Sequence, residues 1–308
     1  MATLHADELP VDLPLVRRLV DGAFPQFCSL ALAPMRESGS SNVLFRLGDR
    51  LLVRLPRDKG GGARVAKEAG WLPYVARRVT TSVPTVLHVG EPALGYPERW
   101  AITSWMPGSR PPSPGSASGR HDTSALAEGL ARFLSELRRM EAPAGAEDEP
   151  ALSSYRGLPL SDLDTEYHEA AAACRALGVD LDFDVALHVW ELAVDASAHL
   201  QRTVGWYHGD LLLENLLLTD AGGLAAVLDF GGLGIGNPAV DLIIAWDALD
   251  GAGRRVFRDA LDLDDAAWTA SRGWALFVAM ITFPYYGSTM PDRCAQRLAM
   301  AEAALRGM

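Results

Sequence analysis

The strongest chemical signal in this 308-residue sequence is a pair of short motifs that lie close together. An HGD motif that contains Asp210 is followed by Asn215, and a DFG motif begins at Asp229 after an apolar run. A carboxylate in a turn, such as that of Asp210, can accept a proton from a substrate hydroxyl. Asn215 and Asp229 flank a predicted hairpin, so an amide oxygen and a carboxylate can converge on one Mg²⁺ ion, which prefers oxygen ligands and often shares them with phosphates. Base, metal and phosphate are the components of phosphoryl transfer.

Each motif alone is more typical of a Gly/Asp turn than of a functional site. Their joint order and spacing, after a β-rich segment, favour function. His208 has two compatible interpretations, as a structural member of the loop or as a packed core histidine.

The elements that must hold these motifs fall into two compositional regimes. Before residue 109, β-type runs at 41–47, 50–55, 83–89 and 100–105 surround one helical stretch at 64–79, which we expect Pro73 to interrupt or shift. The Pro-, Ser- and Gly-rich segment 110–119 predicts a loop or linker. Beyond it, apolar spacing predicts helices at 124–140, 183–201, 268–281 and 292–305, with β-type runs at 215–218 and 225–230.

These patterns predict an α+β protein with two lobes. Residues 1–108 would form a small lobe with an antiparallel sheet and one inserted helix, and residues 109–308 a larger, mainly helical lobe that carries the motifs.

Charge and cysteine usage exclude several classes of protein. The net charge is −11, and residues 109–308 carry 15 Lys and Arg against 29 Asp and Glu. An acidic field argues against nucleic-acid binding and is compatible with a cationic small substrate, although ordinary solubility explains it equally well. Three distant cysteines without a CxxC spacing favour the reducing cytoplasm. We see no signal peptide and no apolar run of about 20 residues, so we expect no membrane span.

The joined motifs resemble a known family. HGDLLLENLLL at 208–218 and VLDFGGLGIGNPAVDL at 227–242 are similar to the signature of the aminoglycoside phosphotransferase family, which has a protein-kinase-like fold. The SNVLFRL, LLVRLPR, SWMPG and FPYY segments also fit. The resemblance implies an antibiotic-resistance type of kinase with Asp210 as catalytic residue, Asn215 and Asp229 as Mg²⁺ ligands, and ATP or GTP as phosphoryl donor. It also implies that Asp241 matches the aspartate of the family's PAxDL motif, for which we predict a structural role in the first turn of a helix.

The same resemblance assigns the nucleotide contacts to the first lobe. The loop at 38–42, with Ser40, Ser41 and Asn42, would cover the phosphates with backbone N–H groups and hydroxyls, although SGSSN also suits a plain hairpin turn. The carbonyl of Ser104 and the N–H of Met106 would pair with the adenine edge, and the alternative for this segment is a simple strand end.

One residue departs from the kinase pattern. Arg54 occupies the strand position of the usual lysine, and Glu68 is its expected helix partner. Because a guanidinium is a planar fork and not a compact ammonium, we expect altered phosphate geometry without necessary loss of activity. Lys59 is an alternative cation.

The acceptor is the least determined part. By resemblance its pocket involves the acidic segment 143–184, whose carboxylates could bind an amine-rich antibiotic, although a solvated acidic loop is the favoured interpretation. Trp246, Asp247, Tyr285 and Tyr286 are further candidates, with core packing as the main alternative for the aromatic residues. We expect an aminoglycoside or another antibiotic as acceptor. The alternatives are a metabolite kinase (sugar, choline-like or amino-acid alcohol) and a nucleotide-binding pseudokinase, and the chain would be a monomer or homodimer.

Overall fold

The computed structural model describes residues 8–35, 39–112, 122–198, 200 and 204–307. Ser38 of the predicted phosphate loop and most of the predicted linker lie outside these ranges. The chain divides into two compact units, Met1–Arg77 with Ser82–Pro107 and Arg78–Thr81 with Gly108–Met308. No described helix has the length and apolar character needed to cross a membrane.

The first unit is an antiparallel sheet with strand order β1-β2-β3-β5-β4 and two helices. Its elements are α1 (Leu13–Ala23), β1 (Leu32–Pro34), β2 (Asn42–Leu47), β3 (Leu51–Pro56), α2 (Gly62–Ala76), β4 (Val86–Gly90) and β5 (Trp100–Ser104). The predicted strands and the hairpin between β2 and β3 are present, with β4 starting three residues later than expected. Helix α2 runs through Pro73 and is not interrupted by it.

The prediction of a single helix before residue 109 is wrong, because α1 is a second one. Asp12 accepts the N–H of Leu15 as N-cap, and Pro14 stands in the first turn, where a missing N–H is tolerated. Val16 and Val20 of α1 are buried in one apolar cluster with Phe45 of β2. The helix therefore packs on one face of the sheet.

Arg54 is on the other face. Strand residues alternate between faces, and Arg54 pairs with Leu44 while Phe45 pairs with Val53. The register of β2 and β3 thus separates the apolar core under α1 from the face that carries Arg54.

The second unit is mainly helical and contains two small two-stranded sheets. Its elements are α3 (Ser124–Arg138), α4 (Asp164–Ala176), α5 (Phe183–Ala198), β6 (Gly205–Tyr207), β7 (Leu216–Leu218), β8 (Leu224–Val227), β9 (Gly234–Gly236), α6 (Ile244–Ala248), α7 (Gly251–Ala260), α8 (Asp265–Tyr286) and α9 (Pro291–Arg306). The core helix α8 packs against α4, α5 and α9.

The four predicted helices correspond to α3, α5, α8 and α9, while α4, α6 and α7 were not predicted. In α4 only Tyr167 and Cys174 are buried, so the sequence carries a weak apolar stripe. Strand β6 pairs with β9, and β7 pairs with β8 as the predicted hairpin. The segment between β6 and β7 contains Asp210, and the segment between β8 and β9 contains Asp229.

Candidate active site

A glycine sets the close approach of the two motif-bearing segments. Gly209 has φ +81°, and a Cβ atom there would lie 2.4 Å from the carbonyl oxygen of Gly232. Only glycine fits this position without strain, because its φ is left-handed and the space is taken by backbone. The segment with Asp210 therefore lies directly against the turn that follows Asp229.

Asp241 fixes the backbone just before Asp210. Its carboxylate accepts the N–H of His208 at 2.6 Å and the N–H of Gly209 at 2.8 Å. Asp241 is buried in the first turn of a 3₁₀ helix, Pro238–Ile243. Burial raises the pKa of this carboxyl, while the two N–H groups that it accepts and the charge of Arg138 act in the opposite direction. The role is structural, as predicted, and its physical basis is the anchoring of the loop.

The His208 ring connects the same loop to the DFG segment. Its Nδ1 accepts the N–H of Asp210 at 3.2 Å, so the proton lies on Nε2, which donates to the carbonyl of Leu228 at 2.9 Å. The ring is fully buried and meets Phe230 edge-on, with centroids 4.6 Å apart. Both interpretations of His208 therefore hold.

The side chains of Asp210 and Asn215 are in direct contact. The amide nitrogen Nδ2 of Asn215 donates to the carbonyl of Asp210 at 2.8 Å and to its carboxylate Oδ2 at 3.0 Å. This orientation leaves the amide oxygen Oδ1 as the atom that can serve as a ligand.

Asn215 and Asp229 lie at the same end of the β7–β8 hairpin. The N–H of Leu228 donates to the carbonyl of Asn215 at 2.8 Å, and Asp229 follows at once with a left-handed φ of +58°. Left-handed backbone at a non-glycine residue is sparsely populated and is concentrated at functional sites. An amide oxygen and a carboxylate at one hairpin end are hard oxygen donors that suit Mg²⁺. Across the described ranges, no three His, Cys, Asp or Glu residues form a group that could hold a metal ion.

Two arginines near these residues were missed by the sequence analysis. Arg156, in the 3₁₀ turn Tyr155–Gly157, places Nη2 at 3.6 Å from Oδ1 of Asp210. Arg297 of α9 lies 3.2 Å from Asp247 and also bonds Glu214. Neither arginine belongs to a local motif, so no sequence signal indicated them.

Several acceptor candidates have structural roles. Asp247 is buried, accepts the N–H of Leu213 at 2.7 Å and pairs with Arg297. Burial raises its pKa to about 6 in spite of Arg297. Trp246 is buried and donates to Ser271 at 2.8 Å, whereas Tyr285 is exposed. The structure therefore places Asp247 and Trp246 in the core. For Trp246 this agrees with the alternative of core packing.

Four carboxylates of the acidic segment have local partners. Glu149 and Asp182 accept backbone N–H groups at the starts of short helical turns or helices. Asp164 accepts from Trp190 at 2.7 Å, and Asp184 pairs with Arg175 at 3.3 Å. These contacts agree with the favoured interpretation of a largely structural and solvated acidic segment.

In the first unit, Arg54 and Glu68 form the predicted ion pair. Nη1 of Arg54 lies 2.9 Å from Oε2 of Glu68, and both side chains are buried. Helix α2 begins where Glu98 accepts the N–H groups of Gly60 and Gly62 at 2.7 and 2.8 Å. Strand β3 and helix α2 thus hold the guanidinium of Arg54 in a fixed place.

The other predicted nucleotide residues lie at the ends of β2 and β5 or within two residues of those ends. The carbonyl of Ser41, the residue that follows Ser40, accepts the N–H of Arg57 at 3.0 Å. Asn42 is the first residue of β2. Ser104 ends β5 opposite Leu51 of β3. Its hydroxyl accepts the N–H of Thr85 at 2.9 Å and lies 3.7 Å from the sulfur of Met106.

The comparison with known families gives one family. The model of the phosphotransferase enzyme family, APH, matches residues 35–274. No curated protein matches the chain in sequence.

Solved structures of related enzymes superpose over almost the whole chain. Wild-type aminoglycoside 2'-phosphotransferase-IIIa, solved as a GDP complex, is 18% identical, with a TM-score of 0.69 and coverage of 96% of this chain and 99% of that chain. Aminoglycoside phosphotransferase APH(2'')-Ib, solved with ADP, is 17% identical, with a TM-score of 0.63 and coverage of 95% and 99%. Macrolide 2'-phosphotransferase MphH from Brachybacterium faecium is 20% identical, with a TM-score of 0.60 and coverage of 97% and 99%.

At these identities the superpositions show the fold, and they confirm the predicted α+β, protein-kinase-like class. The family model covers most of the chain, including the HGD and DFG motifs. The predicted resemblance is therefore confirmed, and the chain belongs to the phosphotransferase enzyme family, APH.

Proposed function

We propose that this protein transfers the γ-phosphoryl group of ATP or GTP to a hydroxyl of a small molecule in a Mg²⁺-dependent reaction. The observation that carries the proposal is the contact of Asp210 with Asn215 on a loop that Asp241 anchors through two backbone N–H groups. A fixed carboxylate beside a hard oxygen donor is what phosphoryl transfer requires.

Asp210 would orient the acceptor hydroxyl and take its proton, because its carboxylate is partly exposed while its backbone is held. The amide oxygen of Asn215 and the carboxylate of Asp229 would hold Mg²⁺. When bound, the ion neutralises charge on the nucleotide phosphates.

Residues of the first unit would bind the nucleotide. The guanidinium of Arg54, held by Glu68, would contact the α- and β-phosphates. Ser40, Ser41 and Asn42 would contribute N–H and hydroxyl donors, and Ser104 and Met106 would contact the base. Nucleotide complexes of structural relatives support a nucleotide donor.

For the acceptor we propose an antibiotic hydroxyl, because the superposed structures include aminoglycoside and macrolide phosphotransferases. A metabolite alcohol is the second candidate. Asp164 and Asp184 of the acidic segment are engaged by Trp190 and Arg175, which favours keeping this candidate in the test.

A pseudokinase is a third candidate, motivated by Arg54 in place of the usual lysine. The presence of Asp210, Asn215 and Asp229 together argues against it.

A panel of aminoglycosides, macrolides, sugars and amino alcohols, assayed with ATP and with GTP for release of ADP or GDP, tests the proposal. We expect Mg²⁺-dependent nucleoside diphosphate release with one class of acceptor, together with a product 80 Da heavier by mass spectrometry (one HPO₃ group, about 80 Da). Nucleotide binding without phosphoryl transfer to any acceptor or to water would favour the pseudokinase.

The reducing cytoplasm stays the predicted compartment. Cys28, Cys174 and Cys294 are free thiols, and burial raises the pKa of Cys174 to about 11. A monomer or homodimer stays the predicted assembly, to be measured by light scattering.

A further inference from the structure

The two carboxylate oxygens of Asp210 have different partners. Oδ2 accepts the Nδ2 proton of Asn215 at 3.0 Å, and Oδ1 faces Nη2 of Arg156 at 3.6 Å. A carboxylate held at one oxygen can still rotate about its χ angles, whereas contacts at both oxygens define its plane. Arg156 supplies the second contact.

The turn that carries Arg156 is itself attached to the loop of Asp210. The hydroxyl of Ser154 accepts the N–H of Arg156 at 3.3 Å and shares a hydrogen bond with the hydroxyl of Tyr207 at 3.1 Å. Tyr207 is the last residue of β6, only three positions before Asp210. The position of Arg156 is thus tied to the strand that leads into the candidate catalytic loop.

Close packing fixes the other end of the same turn. Gly157 accepts the N–H of Asn237 at 3.0 Å, and a Cβ atom at Gly157 would lie 2.8 Å from the Tyr207 ring. A Cβ atom added at Gly236 of β9 would lie 2.9 Å from the Cα atom of Gly157. Both ends of the turn that carries Arg156 are therefore held against the β6–β9 sheet.

The guanidinium of Arg156 is restricted as well. It lies over the ring of Tyr155 with 5.1 Å between Cζ and the ring centroid, and its side chain is only 17% exposed. A long, flexible surface arginine loses entropy when it forms an ion pair, which is why exposed pairs contribute little. Stacking and partial burial reduce that loss for Arg156.

We propose that Arg156 is a positioning residue that holds the Asp210 carboxylate in its reactive orientation. This inference rests on the proposed phosphotransferase function. Asn215 and Arg156 act on opposite oxygens, so that removal of either leaves the carboxylate held at one atom. Displacement of a reacting group by about 1 Å can lower a rate by about 100-fold, so the loss of Arg156 acts on turnover and not on nucleotide binding.

The experiment uses the full-length protein with the acceptor found in the panel, and measures kcat, the KM for nucleotide and the melting temperature. The variants are Arg156→Gln, which removes the charge and keeps a shorter polar side chain, and Arg156→Lys, which keeps the charge. Arg306→Gln is the matched control, because Arg306 forms an exposed pair with Glu302 in the same unit. Asp210→Ala is measured in parallel.

We expect Arg156→Gln to lower kcat by about 10- to 100-fold, with the KM for nucleotide changed less than about 3-fold. Arg156→Lys should retain more of kcat than Arg156→Gln, and added guanidinium should rescue Arg156→Gln but not Asp210→Ala. Arg306→Gln should match the wild-type enzyme.

Equal kcat in Arg156→Gln and the wild-type enzyme, with Asp210→Ala inactive, would overturn the inference and leave the proposed function intact. A merely structural role would also overturn it, and would appear as a lower melting temperature with Arg156→Lys and Arg156→Gln equally impaired and no rescue. Full activity of Asp210→Ala would instead refute the proposed function itself.

Discussion

Arg297 of the C-terminal helix α9 donates from Nη1 to the carboxylate of Asp247 at 3.2 Å, and both side chains are almost completely buried. The other carboxylate oxygen of Asp247 accepts the N–H of Leu213, which lies between Asp210 and Asn215. This buried ion pair therefore connects α9 to the candidate catalytic loop, together with the pairs of Arg293 and Arg297 with Glu214.

Removal of the arginine from this pair should be strongly destabilising. Arg297→Met leaves the Asp247 charge buried without its partner, and we expect the free energy of unfolding to fall by about 3 kcal/mol. Urea denaturation of Arg297→Met, Asp247→Asn and the double variant measures the coupling. The double variant should be more stable than Arg297→Met alone. Additive losses, or a change below about 0.5 kcal/mol in Arg297→Met, would show that the pair is not coupled.

The pH dependence of stability should report the buried Asp247 carboxyl. Burial raises its folded-state pKa from 3.8 to about 6, with Arg297 opposing the rise. Between these two values the unfolded state binds fewer protons than the folded state, so stability falls as pH increases through this window. Relative to Asp247→Asn, the wild-type protein should lose stability from about pH 4 to about pH 6 and show no further change above it. Urea titrations at half-unit pH intervals measure the unfolding free energies of both proteins. A wild-type protein that gains stability relative to Asp247→Asn as the pH rises through this window would contradict the assignment.

Substitution by alanine should be more damaging at Gly209 than at a glycine that has the same backbone conformation but faces open space. Gly178 has φ +72° and no atom within 4 Å of an added Cβ, whereas Gly209 has φ +81° and the Gly232 carbonyl oxygen at 2.4 Å. We expect Gly178→Ala to cost about 1 kcal/mol from backbone strain alone. Gly209→Ala should cost clearly more and should abolish turnover, as measured by thermal unfolding and initial rates. Equal losses in the two variants would mean that the contact with Gly232 does not constrain the loop.

Arg54 should contribute to both stability and nucleotide affinity. Arg54→Ala removes the 2.9 Å ion pair with the buried Glu68, so we expect a loss of about 3 kcal/mol in unfolding free energy. The KM for nucleotide should rise by about 10-fold or more if one charged phosphate contact is lost. Arg54→Lys should keep most of the stability and show an intermediate KM, because an ammonium lacks the bidentate fork. A KM for nucleotide that is unchanged in both variants would remove Arg54 from the nucleotide site.

The sequence predicted the parts of the site that are local. Asp210, Asn215 and Asp229 are joined by short spacings and one hairpin, and the structure brings Asp210 and Asn215 into contact. The Arg54–Glu68 pair was predictable from the resemblance to kinases, which pair a strand cation with a carboxylate of the following helix. Helix α1 was predictable in principle, since Asp12 is an N-cap and Val16 and Val20 form an apolar stripe.

Other parts of the site depend on contacts between distant segments. Asp241 anchors His208 across 33 positions, and Arg297 reaches Asp247 across 50. Arg156 meets Asp210 only because Gly157 packs on Tyr207 and β9. No local periodicity or motif encodes such pairs, so they emerge only from tertiary packing.

Single-turnover phosphoryl transfer by Asp210→Ala, measured beside its equilibrium affinity for the Mg²⁺–nucleotide complex, tests the central claim most directly. The account predicts nucleotide affinity within about 3-fold of the wild-type protein and a rate of transfer lowered by about 100-fold or more. Transfer at the wild-type rate, with nucleotide binding also unchanged, would contradict the assignment of Asp210 as the residue that activates the acceptor hydroxyl.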